Sequence, residues 1–159
     1  MNRINKIEID VTGLAAATPE IEQERKVAVF DLLEHNSFAP VPRAGQAPPV
    51  GPYALGLSIR DKRLVFDITT EAGGVTAGEF HLSLGPFRQV VKDYFQICES
   101  YFDAVKSMPP AQIETIDMAR RGIHDEGARV LMERLAGKAE IDRDTARRLF
   151  TLICVLHWG

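Results

Sequence analysis

The sequence predicts an α+β fold: an antiparallel sheet of about four strands with four or five helices packed mainly on one face, in the order β-α-β-β-β-α-α-α. Two observations carry this. Between residues 53 and 84 the apolar residues alternate with polar ones, the two-residue period of half-buried strands. From Gly85 onward they recur at threes and fours, the period of amphipathic helices. Strands that cluster, followed by helices that cluster, build α+β architectures rather than alternating α/β ones. A chain of 159 residues with 45% hydrophobic and 26% charged content suits one globular unit, so residues 1–159 are expected to form a single domain.

The elements follow in order. Ile7, Ile9 and Val11 bracket Glu8 and Asp10, and with Ile4 they suggest a first strand ended by Gly13. Thr18-Pro19-Glu20 opens a helix. Threonine can cap free N–H groups, proline has none to lose, and Glu20 and Glu22 favour the positive end of the dipole. Ile21, Ala28, Phe30, Leu32 and Leu33 carry this helix to about Glu34, and His35-Asn36 stops it. Residues 39–52 hold five prolines and two glycines, which forbid a regular helix or a central strand. We expect a solvated connector with polyproline character, the alternative being a docking site for a proline-reading domain.

Leu55, Leu57 and Ile59 alternate, Asp61-Lys62 turn the chain, and Leu64, Phe66 and Ile68 alternate back. After a turn at Glu71–Gly74, Phe80, Leu82 and Leu84 give another strand, completing an antiparallel meander with one apolar face. Phe87, Val90, Val91, Tyr94, Cys98, Tyr101 and Val105 form the stripe of the next helix, which Met108-Pro109-Pro110 ends. A third helical region spans about 110–136, with Ile113, Ile116, Ile123, Val130, Leu131 and Leu135 as its stripe and a bend expected near Gly122. Asp142 caps the last helix. That helix is apolar on all sides from Leu149 to Trp158, which places it inside the protein.

Composition excludes several functions. A net charge of −3 disfavours nucleic acid as a partner. The longest apolar run, Leu149 to Trp158, is half the roughly 20 residues a membrane span needs. The N-terminus has no apolar signal segment, so a cytoplasmic location with no membrane association is expected. Cys98 and Cys154 stand in no metal or redox spacing and read as small buried hydrophobes. Phosphate-loop, dinucleotide-binding, nucleophile-elbow and zinc signatures are absent, and no cofactor or metal is expected.

Four histidines remain. His35 is expected at the surface, His81 on the less apolar face of its strand, and His157 near a helix C-terminus, where it would complement free carbonyls. His124 has more company. On a helix, Asp117, Arg120, Arg121 and His124 share one face, and Glu126 follows closely. Arg120 falls between Ile116 and Ile123 on the apolar stripe, where a charged group is expected to be paired or functional. Gly122 and Gly127 would let another group approach closely. The cluster reads as a buried ion-pair network, as an anion site for a phosphate or carboxylate, or as a catalytic site with His124 as acid or base. Arg143, Arg147 and Arg148, interleaved with Asp142 and Asp144, read as ordinary solvated helix pairs.

At these residues the sequence resembles the uncharacterised protein family 0262 of alphaproteobacteria. The resemblance lies in RLVFDI (63–68), SLGPFRQVVKDYFQICESYF (83–102), QIETIDMARRGIHDEGARVLMERLAGK (112–138), DRDTARRLFTLICVLHW (142–158) and ERKVAVFDLLEHNSF (24–38). It implies a cytoplasmic bacterial protein and supplies no activity. It also implies shorter chains through residues 43–50, and an Asn more often than Asp125, while Arg120, Arg121, His124 and Glu126 match as they stand. The function expected is that of a non-enzymatic protein acting through protein–protein interaction, with another protein or with itself. The alternative is a small anion site or small enzyme built around Arg120, Arg121 and His124 with Asp117 and Glu126. It requires a pocket beside His124 and an arginine not engaged by protein acids.

Overall fold

In the computed structural model, which describes residues 2–12, 18–43 and 45–156, the order is β1 (Ile4–Ile9), α1 (Pro19–Glu34), β2 (Phe38–Pro40), β3 (Tyr53–Arg60), β4 (Arg63–Thr70), β5 (Thr76–Ser83), α2 (Arg88–Ser107), α3 (Pro110–Leu135), β6 (Ala139–Ile141) and α4 (Arg143–Leu156). A 3-10 turn, Gly85–Phe87, leads into α2. The expectations placed on Gly13, His157 and Trp158 lie outside the described residues. The α+β class holds.

β1, β3, β4 and β5 form one sheet in that order. β3, β4 and β5 are the expected antiparallel meander, but β1 runs parallel to β3, so the sheet is mixed rather than wholly antiparallel. The reason is connectivity: neighbouring parallel strands need a crossover, and α1 with its flanking segments supplies one. At the Asp61-Lys62 turn both residues have positive φ, 53° and 61°, the left-handed pair that a two-residue hairpin requires even without glycine.

A second sheet, β2 with β6, was not expected. It takes Ala39 and Pro40 out of the proline-rich segment and pairs them with Glu140 and Ala139. Three residues are too few to show a period.

The helices cover one face of the sheet. Leu55, Leu57, Phe66, Ile68 and Phe80 share one buried cluster with Val91, Tyr94, Leu131, Leu149, Phe150 and Ile153. The opposite face carries Asp67, Glu79 and His81, with Arg60 binding both carboxylates at 3.1 and 3.2 Å. Thr18 caps α1 by accepting from the Ile21 N–H, and Asp142 caps α4 by accepting from the Thr145 N–H at 2.8 Å. Every residue from Leu149 to Leu156 is buried, so α4 is the internal helix its composition demands.

Three details depart from the sequence reading. α3 is one helix of 26 residues with no break at Gly122. Val105, on the expected stripe of α2, is 48% exposed, and Ala104 is buried instead. Phe30 is 63% exposed, although α1 buries Ile21, Ala28 and Leu32.

The sequence marks Asn36 only as a helix stop. It is buried, accepts from the Ile4 N–H at 2.7 Å and donates to Ile4 O and Leu32 O. One side-chain amide thus ties the end of α1 to the edge of β1.

The two glycines of α3 have opposite roles. A Cβ on Gly127 would come within 2.4 Å of the Phe150 ring, whereas one on Gly122 would meet nothing within 4 Å. Gly127→Ala should therefore destabilise the protein by about 1–3 kcal/mol through overpacking. Gly122→Ala should stabilise it by roughly 0.5–1 kcal/mol through helix propensity. Urea-unfolding midpoints of the two variants check this, and shifts of the same sign would contradict it.

Candidate functional site

α3 carries Asp117, Arg120, Arg121 and His124 because these positions follow one another by threes and fours. Asp117 binds both arginines: Oδ1 accepts from Arg120 at 2.7 Å and Oδ2 lies 2.8 Å from Arg121. The hydrogen bond from Arg120 holds the Asp117 carboxyl below the usual carboxylate range. Arg120 also reaches across helices. Its Nη1 is 3.7 Å from Glu24 of α1, and its guanidinium lies 4.3 Å over the Tyr101 ring of α2. The Tyr94 hydroxyl donates to Glu24 at 3.4 Å, so Glu24 joins α2 to α3. Burial pushes the Tyr94 phenol and the Cys98 thiol up, the thiol to about 11, so Cys98 stays protonated.

His124 turns away from this group and engages α4. Its Nε2 is 2.7 Å from the Arg147 carbonyl and 2.9 Å from Thr151 Oγ1, and its Nδ1 is 3.4 Å from Arg147 Nη2. A carbonyl only accepts, so Nε2 carries the proton and Nδ1 is the bare acceptor facing the guanidinium. The ring packs on Tyr94 and Phe150, with centroids 5.5 and 5.9 Å away. Burial, reinforced by the Arg147 and Arg120 charges and opposed by the hydrogen bond with the Arg147 backbone and by Asp125, depresses its pKa to about 4.

Asp125, beside His124, pairs with Arg147 and sits 3.3 Å from Arg143. Glu126 faces elsewhere, exposed and paired with Arg129 at 3.0 Å.

The structure therefore brings Asp117, Arg120 and Arg121 together, sets His124 against a different helix, and leaves Glu126 apart. Arg120 and Arg121 each have an acid partner. Two open clefts flank α3, of about 450 and 650 Å3, lined in part by Asp93, Ile123, Glu126 and Arg134 and by Gly122, Asp125, Met132 and Arg143. Arg120, Arg121 and His124 line neither. Among the described residues no group of three His, Cys, Asp or Glu is placed to hold a metal.

Sequence reasoning missed Glu24, Tyr94, Tyr101 and Thr151 as partners, because each lies on another helix. Arg147, a solvated charge by its sequence pattern, is half-buried between α3 and α4 instead. The available signal was that Arg147 and Arg143, four residues apart on one helix, would repel without an intervening acid, and Asp125 is that acid.

The molecule is thus an α+β protein whose mixed sheet backs onto four described helices tied to one another by internal polar contacts. The chain belongs to the uncharacterised protein family UPF0262, whose family model matches residues 1–159. It is 73% identical to a UPF0262 protein of Roseobacter denitrificans, over all of this chain and 99% of that one. It is 74% identical to UPF0262 proteins of Ruegeria pomeroyi and Cereibacter sphaeroides, over all of this chain and 98% and 100% of theirs. Each of these alignments spans nearly the whole of both chains. No solved structure matches it.

The histidine geometry has a pH consequence. Above pH 6.5 the ring is neutral in both folded and unfolded chains. Below it the unfolded chain takes up the proton first, so stability is lost as pH falls from about 6.5 to about 4 and then levels off for this group. The loss attributable to His124 is at most about 3 kcal/mol. Urea midpoints at pH 7 and pH 4.5 should fall further for the parent protein than for His124→Asn, and equal falls would refute the assignment.

Proposed function

We propose that the protein acts by binding another protein chain through the surface shared by α1 and β1, and that it does so as a single-domain protein of the bacterial cytoplasm. One observation carries this reading. Phe30 is 63% exposed, with Val27, three residues before it on α1, at 47%. They accompany a cleft of about 420 Å3 lined by Ile7, Ile9, Arg25, Lys26, Val29, Phe30 and Leu33. A contiguous apolar surface around an exposed aromatic, rimmed by charge, has the composition of a protein interface rather than of a solvated face.

The polar residues support the same reading from the other side. An anion bound by Arg120, Arg121 and His124 would have to displace Asp117 from both guanidinium groups and Arg147 from His124. Their present partners suit a structural network. No helix of the described residues is long and apolar enough to cross a membrane, which agrees with a partner met in solution.

A photo-crosslinking phenylalanine analogue at position 30 should yield a protein adduct in the bacterium, while the same analogue at Met118, 64% exposed on α3, should not. If position 30 yields no protein adduct, the reading falls. Because Phe30 is exposed, Phe30→Asp should change stability by less than about 0.5 kcal/mol while abolishing the association.

A further inference from the structure

Resting on that reading, we propose that the occupant of this surface is a second copy of the chain. The two β1 strands pair antiparallel about a two-fold axis through Ile7 and join two sheets into one. β1 is an outermost strand of the sheet, bonded on one side to β3. The Asp10 N–H donates to Leu57 O, and the Tyr53 N–H donates to Arg3 O. In a parallel ladder alternate residues turn both backbone groups to the same side, so those of Ile4, Ile7 and Ile9 point away from β3. Asn36 closes off Ile4 by accepting its N–H and donating to its carbonyl. Among the described residues, nothing does the same for Ile7 and Ile9, which form a row of donors and acceptors at the sheet margin, a template for a further strand.

The side chains choose the strand. Ile7 and Ile9 point toward α1 and line its cleft. Lys6 and Glu8 point to the opposite face, 3.4 Å apart, with side chains 62% and 75% exposed. An antiparallel two-fold through Ile7 sets Lys6 of each chain against Glu8 of the other, and Ile7 against Ile7. Opposite charges then face each other twice, and the row is complementary to itself. A two-fold through Glu8 would instead set Glu8 against Glu8 and Lys6 against Asp10, a register that Glu8→Lys would leave no weaker, so that variant tells the two apart. The same operation brings the two α1 helices to one side of the joined sheet, where Phe30 and Val27 find apolar partners. At the other margin of the sheet, Arg43 lies over Phe80 of β5, 5.9 Å from the ring centroid.

The test is sedimentation velocity of the full chain from low to high micromolar concentration, with charge-swapped variants. The parent should dimerise. Lys6→Glu and Glu8→Lys should each dimerise about tenfold more weakly, since each places like charges opposite one another. An equimolar mixture of the two variants should recover the parent affinity as a heterodimer, because one chain then carries two acids and the other two bases. Circular dichroism should show both variants folded, as both side chains are exposed. A parent that stays monomeric overturns the proposal, as does a dimer indifferent to the single swaps or a mixture that recovers nothing. If the parent is monomeric and the adduct at position 30 contains a different protein, the second copy is excluded and the protein-binding reading stands. If there is no adduct either, both fall.

Discussion

From Leu149 onward, α4 has no side that water can wet. Eight successive residues, Leu149 to Leu156, are buried, and a helix of that kind is stable only when neighbours enclose it. The fold is arranged to do so: α1 and α3 pack along α4, and the apolar face of the sheet joins the same cluster. Gly127 lets the Phe150 ring lie directly on the α3 backbone, where any side chain would hold the helices apart. The two polar side chains that α4 carries into the interior are partnered. Thr145 Oγ1 accepts from the Ser37 N–H at 3.0 Å, and Thr151 Oγ1 lies between His124 and the Arg147 carbonyl. Each partner belongs to an element that must already be in place, so enclosing α4 also sets the positions of β2 and α3.

The charged residues of α3 follow from the same enclosure. Where α3 leaves the deep core, its inner face meets α1 and α2 through Asp117, Arg120, Glu24 and Tyr101. Charges removed from water cost free energy unless they are paired, and Arg120 is paired to two carboxylates and stacked on a ring. His124 makes the corresponding link to α4 as a neutral ring. The polar interruption of the α3 stripe is therefore a set of inter-helix contacts, which leaves the β1–α1 side as the surface where the described residues expose aromatic and aliphatic groups together.

Much of this was legible in the sequence. The meander β3–β5, the caps Thr18 and Asp142, the internal α4, the buried cysteines and the grouping of Asp117 with Arg120 and Arg121 all follow from interactions within a few residues, or from a period. What was not legible depends on distant partners. Nothing near Glu24 in sequence announces Arg120, and nothing near His124 announces Thr151. The exposure of Phe30 was hidden for a related reason: an aromatic residue among apolar neighbours reads as core until the element expected to cover it is found elsewhere.

The sequence by itself determined the class of fold, the position of most elements and the grouping of Asp117 with Arg120 and Arg121, because hydrophobic period, capping, turn chemistry and helix spacing are local. Only the tertiary structure decided that β1 runs parallel to β3, that β2 and β6 pair, that His124 serves α4 rather than Arg120 and Arg121, and that Phe30 faces outward. Those outcomes depend on which surfaces meet when α4 is enclosed. Burial and pairing are properties of two surfaces brought together, and one stretch of chain encodes only its own half of each.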